Sequence, residues 1–387
     1  MSTIIRPQKL LIVSASIGGG HVAAGRALES AAKDEKLVTQ HVDMLSCTAP
    51  GFRRLYRQAY FDLVRTAPDV VDYLGKRLDR KPHEFKTRQE RVLARFSRLV
   101  SYNLPRLVRR ERPDVILHTH FLPPAILSRQ EKLSVPEAVV ITDYAAHALW
   151  LQIGVRRYFV AADEVAAHLD AVGVGAGRVR VTGIPIDGRF EGLEPKLQAR
   201  RALGLSAERD VLLLIASGLD QKVLVSLLQS LKVLRWPLTV FVICGRTEHL
   251  MNAALQEVET HDPRSSVSLK VLGFVNEMPR YMAAADLLLG KPGGLTTSEA
   301  LAAGLPFAVV SPYPLQEEAN ANMLLEGGAG FRIDPLTVLN YKLKTFFADE
   351  ARRERMREVA RRLAKPEAAR EVVRSLLEEP LGGAEAL

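Results

Sequence analysis

LLIVSASIGGGHVAAG, residues 10–25, runs four apolar residues into a glycine-rich turn and then into a stretch with helical spacing. A short apolar strand, a turn of Gly18, Gly19 and Gly20, and a helix opening at His21 make the first βα step of a Rossmann-like unit. Such a turn holds something anionic or something that approaches the backbone closely. Gly18 to Ala23 satisfies G-x-G-x-x-A, and Asp43 lies twenty residues beyond Ala23 at the end of the next predicted strand. That pattern matches a dinucleotide fingerprint, in which an acid holds a ribose. A nicotinamide-dependent oxidoreductase is therefore one reading, although it leaves His21 unexplained.

The pattern of this first step repeats along the chain. Predicted strands at Val38 to Asp43, Asp114 to His118, Ala138 to Thr142, Tyr158 to Ala161 and Val179 to Thr182 alternate with helical stretches. Alternation of this kind makes a parallel sheet with crossover helices. After GIPIDGRFEGLEPK the alternation restarts, with strands at Val211 to Ala216, Leu238 to Cys244, Val267 to Leu272, Asp286 to Leu289 and Phe307 to Val310. The expected class is α/β. Residues 1–183 form one domain, 184–205 a linker, 206–364 a second domain, and 365–387 a C-terminal helix and tail.

A chain of 387 residues, 47% hydrophobic and 25% charged, fits a soluble globular enzyme of two domains. No apolar run approaches the ~18 residues that span a bilayer, and the N-terminal run reads as a strand rather than a signal. Cys47 and Cys244 stand far apart, which suits a reducing cytoplasm and supplies neither a disulfide framework nor metal-ligand spacing. The net charge of +9 is local, because residues 52–112 hold 17 Lys/Arg against 7 Asp/Glu. There Tyr56, Tyr60 and Phe61 recur at helical spacing among Arg53, Arg54 and Arg57. A basic amphipathic helix is drawn to an anionic membrane surface by about 1 kcal/mol per near-surface cation. The same pattern also describes a solvated helix face packed on the core. No nucleic-acid-binding module is recognisable.

A second glycine site, GKPGGLTTSEALAAGLP, spans residues 290–306. Gly293 and Gly294 end a strand and open a helix, so free N–H groups there can receive a diphosphate without a metal. Thr296, Thr297 and Ser298 add hydroxyls, and Glu299 can accept from a ribose. Thr296 and Glu299 are equally the two ends of a capping box. Gln316 and Glu317, in PLQEEANANML, are either dipole partners of a helix start or acceptors for sugar hydroxyls. In ITDYAAHALW, residues 141–150, Asp143 ends a predicted parallel strand with His147 and Trp150 close by. An acid and a histidine at that edge are candidate general bases.

Taken together and in order, these stretches resemble the monogalactosyldiacylglycerol synthase and processive diacylglycerol glucosyltransferase family, glycosyltransferase family 28. LLIVSASIGGGHVAAGRAL is similar to its opening loop, VVITDYAAHALW to its middle motif and VTGIPIDGRF to its interdomain stretch. VICGRTEHL, VLGFVNEMPRYMAAADLLLGKPGGLTTSEALAAGLP and QEEANANMLLEGGAG are similar to its nucleotide-sugar domain. The resemblance implies a GT-B enzyme, two Rossmann-like domains facing across a cleft. Such an enzyme is inverting and metal-independent, has no cofactor, and works as a peripheral protein on the inner face of the cell membrane. Its partners would be a UDP-hexose, a lipid acceptor such as diacylglycerol and the anionic membrane surface, with no nucleic acid.

By the resemblance, Gly218, Gly245 and Arg246 lie near the nucleotide, Phe274 and Val275 meet the uracil, and Glu299 binds the ribose. Gly293, Gly294, Thr296 and Thr297 take the diphosphate, and Gln316 with Glu317 the sugar. Gly18, Gly19, Gly20 and Trp150 line the acceptor side, where Asp143 or His21, with His147 beside them, supplies the base. This chain differs from its relatives in ASGLDQK, which carries Asp220 and Lys222, in Arg156 and Arg157, and in Leu315. A regulatory UDP-sugar-binding protein of the same fold is the alternative.

Overall fold

In the computed structural model the described residues are 6–48, 103–127, 135–152, 154–262, 264–313, 316–379 and 381. They fold into two units, one from Met1–Gly188 with Pro314–Gln316 and Lys365–Leu387, the other from Arg189–Tyr313 with Glu317–Ala364. Arg53, Arg54, Tyr56, Arg57, Tyr60 and Phe61, the expected membrane-facing residues, lie outside the described residues, as does Leu315. Among the described residues no helix is long and apolar enough to cross a membrane.

The first unit carries β1 (Lys9–Ser14), α1 (Gly19–Asp34), β2 (Val38–Asp43), α2 (Asn103–Glu111), β3 (Val115–His118), α3 (Leu122–Leu127), β4 (Glu137–Val140), β5 (Val155–Val160), α4 (Asp163–Ala171) and β6 (Val179–Val181). Its strands run parallel in the order β2-β1-β3-β4-β5-β6. The central strands β1, β3 and β4 are largely apolar because helices cover both faces, and alternate residues serve opposite cores. Leu10 and Ile12 pack with Leu28 of α1. Leu11 and Val13 pack with Leu104 and Val108 of α2 on the other face.

The last helix, α13 (Ala368–Glu378), which the sequence assigned to neither domain, returns to this unit and buries Val372, Val373 and Leu376 beside Leu10 and Leu28. Arg157 explains part of that return: its guanidinium donates to the Ser375 carbonyl at 3.2 Å and the Glu379 carbonyl at 2.8 Å. Gly183 lets the chain pass beneath it. The residue has φ +91°, and a Cβ there would lie 2.6 Å from Lys365 Cβ.

The second unit carries α5 (Lys196–Ala202), β7 (Asp210–Ile215), α6 (Gln221–Lys232), β8 (Leu238–Ile243), α7 (Glu248–Glu259), β9 (Val267–Leu272), α8 (Met278–Ala284), β10 (Leu287–Gly290), α9 (Gly294–Ala302), β11 (Phe307–Val309), α10 (Gln316–Gly327), β12 (Gly330–Arg332), α11 (Leu339–Ala348) and α12 (Glu350–Leu363). Its strands are again parallel, ordered β12-β11-β10-β7-β8-β9. Leu212, Leu214, Val240, Val242 and Leu289 form the sheet side of a core closed by Leu224, Leu228, Leu343 and Phe346.

Two features depart from the sequence expectation. The expected linker 184–205 contains α5, whose Ala199 and Arg200 are buried, and β12 adds an edge strand of three residues. Asp220 has a plain local purpose: it caps α6 by accepting from the Lys222 N–H at 2.8 Å.

Candidate active site

In an open parallel sheet, ligands gather beyond the carboxyl ends of the strands where the strand order reverses. In the first unit that point lies between β1 and β3, and in the second between β7 and β10. The candidate residues cluster at these two places.

At the first, His21 enters on the opening turn of α1 and meets the residues that follow β3 and β4. Its Nδ1 lies 2.8 Å from the Thr119 carbonyl, while the Thr119 hydroxyl donates to the His21 carbonyl, also at 2.8 Å. A carbonyl only accepts, so Nδ1 carries the proton and Nε2 keeps its lone pair. Thr142 Oγ1 stands 3.0 Å from the same Nδ1, which brings the loop carrying Asp143 to the imidazole. Gly18 caps α1 in an extended conformation, and a Cβ on Gly18 or Gly19 would meet nothing within 4 Å. Neither strain nor packing within the unit requires glycine there, and the backbone faces open space. Gly20 is the second residue of α1.

Asp43, the acid of the dinucleotide fingerprint, is occupied otherwise. Its Oδ1 accepts from the Ser16 N–H at 3.0 Å and the Leu45 N–H at 3.1 Å, tying down the β1–α1 turn. The spacing that suggested a ribose ligand is a device for shaping the loop.

Around His21 stand His120, Phe121, His147 and Trp150. The His21 and His120 rings meet edge to face at 4.6 Å, His120 stacks on Phe121 at 4.2 Å, and His147 lies 5.9 Å from Trp150. His120 Nδ1 accepts the Leu122 N–H at 3.0 Å, which places its proton on Nε2. The sequence reading missed His120; the pair His118 and His120 in HTHF was the available signal, but β3 ends at His118, so the alternation that would put both on one face does not reach His120. His118 sits buried against Glu137, Nε2 to Oε2 2.7 Å. Trp150 is fully buried, and neither its Nε1 nor His147 Nδ1 has a hydrogen-bond partner among the described residues.

Burial lowers His21 and His147 to about 4 and His120 well below its usual value, the neighbouring imidazoles adding repulsion at the latter two. The sign follows from proton uptake. Below the ordinary value of 6.5 the unfolded chain gains protons that the folded cluster refuses, so this contribution is complete above 6.5 and is lost as pH falls toward 4. Each group costs about 1.4 kcal/mol per pH unit in that window. Asp210, raised to about 6 by burial and by Asp286, acts in the opposite sense. Urea denaturation at pH 7.5 and 5.0 should therefore show a lower midpoint at pH 5.0. Equal midpoints would mean that the three rings are hydrated.

At the second switch point, Gly218 follows β7 with φ +86°, and Gly245 follows β8 with φ +60°. Arg246 lies over the exposed Phe274 ring, 4.4 Å from its centroid, with Val275 next along the loop after β9. Gly293 is the N-cap of α9 and makes no side-chain cap. Thr296 is consequently inside the first turn, not at the cap, and the capping-box reading of Thr296 and Glu299 is corrected. The N–H groups opening α9 have no intrahelical carbonyl. Thr297 is fully buried with an unpartnered hydroxyl. Gln316 and Glu317 open α10, and Glu317 Oε2 accepts the Tyr313 N–H at 2.6 Å.

Residues 21–186 match the family model for monogalactosyldiacylglycerol synthase, and residues 196–363 match that for glycosyl transferases group 1. Over 97% of its length the chain is 28% identical to the processive diacylglycerol β-glucosyltransferase of Bacillus cytotoxicus, covering 95% of that protein. The chain is thus similar to the monogalactosyldiacylglycerol synthases in its first half and to group 1 glycosyl transferases in its second. A second relative, the enzyme of the same name from Bacillus pumilus, is 27% identical over 96% of the chain and 95% of its own length.

Solved structures agree on the GT-B fold. MurG of Acinetobacter baumannii superposes with a TM-score of 0.62 at 19% identity, over 96% of this chain and all of that one. Anabaena Alr3699/HepE in complex with UDP-glucose gives 0.59 at 15%, over 96% and 99%. The chain is accordingly a glycosyltransferase.

Proposed function

We propose that this glycosyltransferase moves a hexose from a UDP-sugar to the hydroxyl of a membrane lipid such as diacylglycerol, with inversion. The reading is supported by the names of its relatives, by the UDP and UDP-glucose bound in proteins of like fold, and above all by one observation. The Thr119 carbonyl fixes the proton of His21 on Nδ1, so Nε2 is a lone pair in an apolar, aromatic surround.

In this mechanism His21 Nε2 takes the proton of the acceptor hydroxyl as its oxygen attacks the anomeric carbon. The bond from that carbon to the β-phosphate oxygen breaks, and UDP leaves with the electron pair. The Thr119 carbonyl plays the part of an orienting group, stabilising the imidazolium as it forms. The first N–H groups of α9, fixed before reaction, meet the charge that develops on the diphosphate. Gly293, Gly294, Thr296 and Thr297 bind that diphosphate, Glu299 the ribose, Phe274 and Val275 the uracil, and Gln316 and Glu317 the hexose. Asp143 and His147 help place the acceptor, which Trp150 and the Gly18–Gly20 turn approach. Preorganised dipoles make a metal or cofactor unnecessary. The basic segment carrying Arg53, Arg54, Tyr56, Arg57, Tyr60 and Phe61 holds the protein at the inner, anionic face of the membrane.

Vesicles of diacylglycerol and anionic lipid, incubated with radiolabelled UDP-glucose or UDP-galactose, should yield a labelled glycolipid, and EDTA should not reduce the yield. Stabilisation by UDP-sugar without product would instead identify a regulatory protein that binds the nucleotide.

A further inference from the structure

Lys291 follows β10 and directly precedes the Pro292-Gly293-Gly294 turn, at the reversal of strand order in the second unit. Only 8% of its surface is exposed. Its aliphatic stem runs beside the Gly218 turn, where a Cβ on Gly218 would come 3.8 Å from Lys291 Cδ. Its ammonium lies 2.7 Å from the centroid of the Tyr313 ring and 3.3 Å from Glu317 Oε2. That carboxylate oxygen already accepts the Tyr313 N–H, and Nζ makes no hydrogen bond among the described residues. Tyr313 in turn reaches the Gly218 carbonyl with its hydroxyl at 3.4 Å. A cation is thus caged beside the open N-terminus of α9, with its counter-ion in place and its hydrogen-bonding capacity unused.

Burying an ammonium is expensive unless it is hydrogen-bonded as well as paired. The cost shows in a proton affinity reduced to about 8, chiefly by desolvation and partly offset by Glu317. The ammonium still holds its proton at neutral pH. Thr297, six residues along the chain, has the second unpartnered buried polar atom of this strand–turn–helix. Two unsatisfied groups of donor character flanking a helix N-terminus describe a receptor for an anion that brings several acceptor oxygens.

We propose that Lys291 is the cation that receives the diphosphate of a nucleoside-diphosphate sugar, and that Glu317 is its resting counter-ion, exchanged for phosphate when the donor binds. The inference rests on the UDP-sugar reading above and adds to it a residue and an exchange. In the empty site Glu317 neutralises Lys291. In the loaded site the diphosphate oxygens take the ammonium, and the Glu317 carboxylate turns to the hydroxyls of the hexose. During transfer Lys291 exchanges no proton. It remains an ammonium while the anomeric C–O bond breaks, and its charge faces the oxygen that keeps the electron pair.

The test compares UDP with uridine, which share base and ribose and differ in the diphosphate, by titration calorimetry on the full chain. The wild-type protein should bind UDP far more tightly than uridine. Lys291→Met should weaken UDP by about ten- to a hundredfold, the worth of a charge-assisted hydrogen bond, and leave uridine unchanged. Lys291→Gln, which keeps a polar atom in the cage, is the second variant, and unchanged uridine binding in either reports an intact fold. Glu317→Gln keeps an acceptor for the Tyr313 N–H but removes the competing charge. It should tighten UDP at least about twofold while lowering kcat with the UDP-sugar.

A wild-type protein that binds no UDP would overturn the donor reading and this inference with it. Variants of Lys291 that bind UDP as the wild type does would overturn the inference alone. Equal loss of UDP and uridine would make Lys291 a structural residue, and weaker UDP binding in Glu317→Gln would refute the exchange.

Discussion

His21→Ala should lower kcat by about a hundred- to ten-thousandfold, the usual worth of a positioned general base, while UDP-sugar binding should stay at its wild-type level. The separation is expected because His21 belongs to the first unit, tied by Nδ1 to Thr119, whereas the residues assigned to the nucleotide and diphosphate belong to the second. Turnover of glycolipid and calorimetry with UDP measure the two quantities separately. The pH profile adds a second readout. An ordinary imidazole would lose activity as it protonates near 6.5, but burial keeps His21 neutral to about 4, so kcat/KM should stay level from pH 8 to below pH 6. A variant that retained a tenth of the activity would remove His21 from the mechanism. Should Asp143→Asn then abolish turnover, the proton would pass to Asp143 instead.

The second large effect is on stability. Asp286→Ala should cost about 3–5 kcal/mol, because it strips the common partner from a buried cation, Arg200, and from two partly buried ones, Lys196 and Arg357. Asp286 Oδ2 accepts Arg200 Nη2–H at 2.6 Å and the Val211 N–H at 2.8 Å, while Oδ1 meets Arg357 Nη2 at 3.1 Å and the Lys196 ammonium. One carboxylate thereby fastens α5 and α12 to the edge where β7 and β10 begin. The Arg200 and Asp286 side chains are each 6% exposed, so water cannot replace the lost charge at Arg200. Urea denaturation followed by fluorescence measures the change. Asp286→Asn, which keeps the shape and one acceptor oxygen, should lose less than the alanine variant. A loss below about 1 kcal/mol for Asp286→Ala would place the cluster with solvent-screened surface pairs.

Several residues show why a motif can be visible while its purpose is not. Asp43 fits the fingerprint by spacing, yet its carboxylate is spent on the Ser16 and Leu45 N–H groups. Thr296 and Glu299 have the spacing of a capping box, yet α9 begins two residues before Thr296. In both, the sequence permits two sets of hydrogen bonds, and the choice depends on where a neighbouring segment lies. Lys291 and His120 were overlooked for a related reason. A lysine before a glycine turn and a histidine after a strand are ordinary residues until burial removes their water.

What the sequence determined by itself is the alternation of strand and helix. Runs such as Leu10-Leu11-Ile12-Val13 and Leu287-Leu288-Leu289 are apolar on both faces, and only a parallel sheet covered by helices buries both. The long glycine-rich stretches likewise marked the ends of strands where ligands gather. Tertiary structure alone decided that α13 returns to the first unit, that α5 lies within the expected linker, and that β12 completes the second sheet. It also decided that His21, Thr119 and Thr142, separated by as many as 121 residues, share one nitrogen. Periodicity is a local property that each segment carries alone, whereas a contact or a tautomer depends on which partner distant segments present, and no segment encodes its partner.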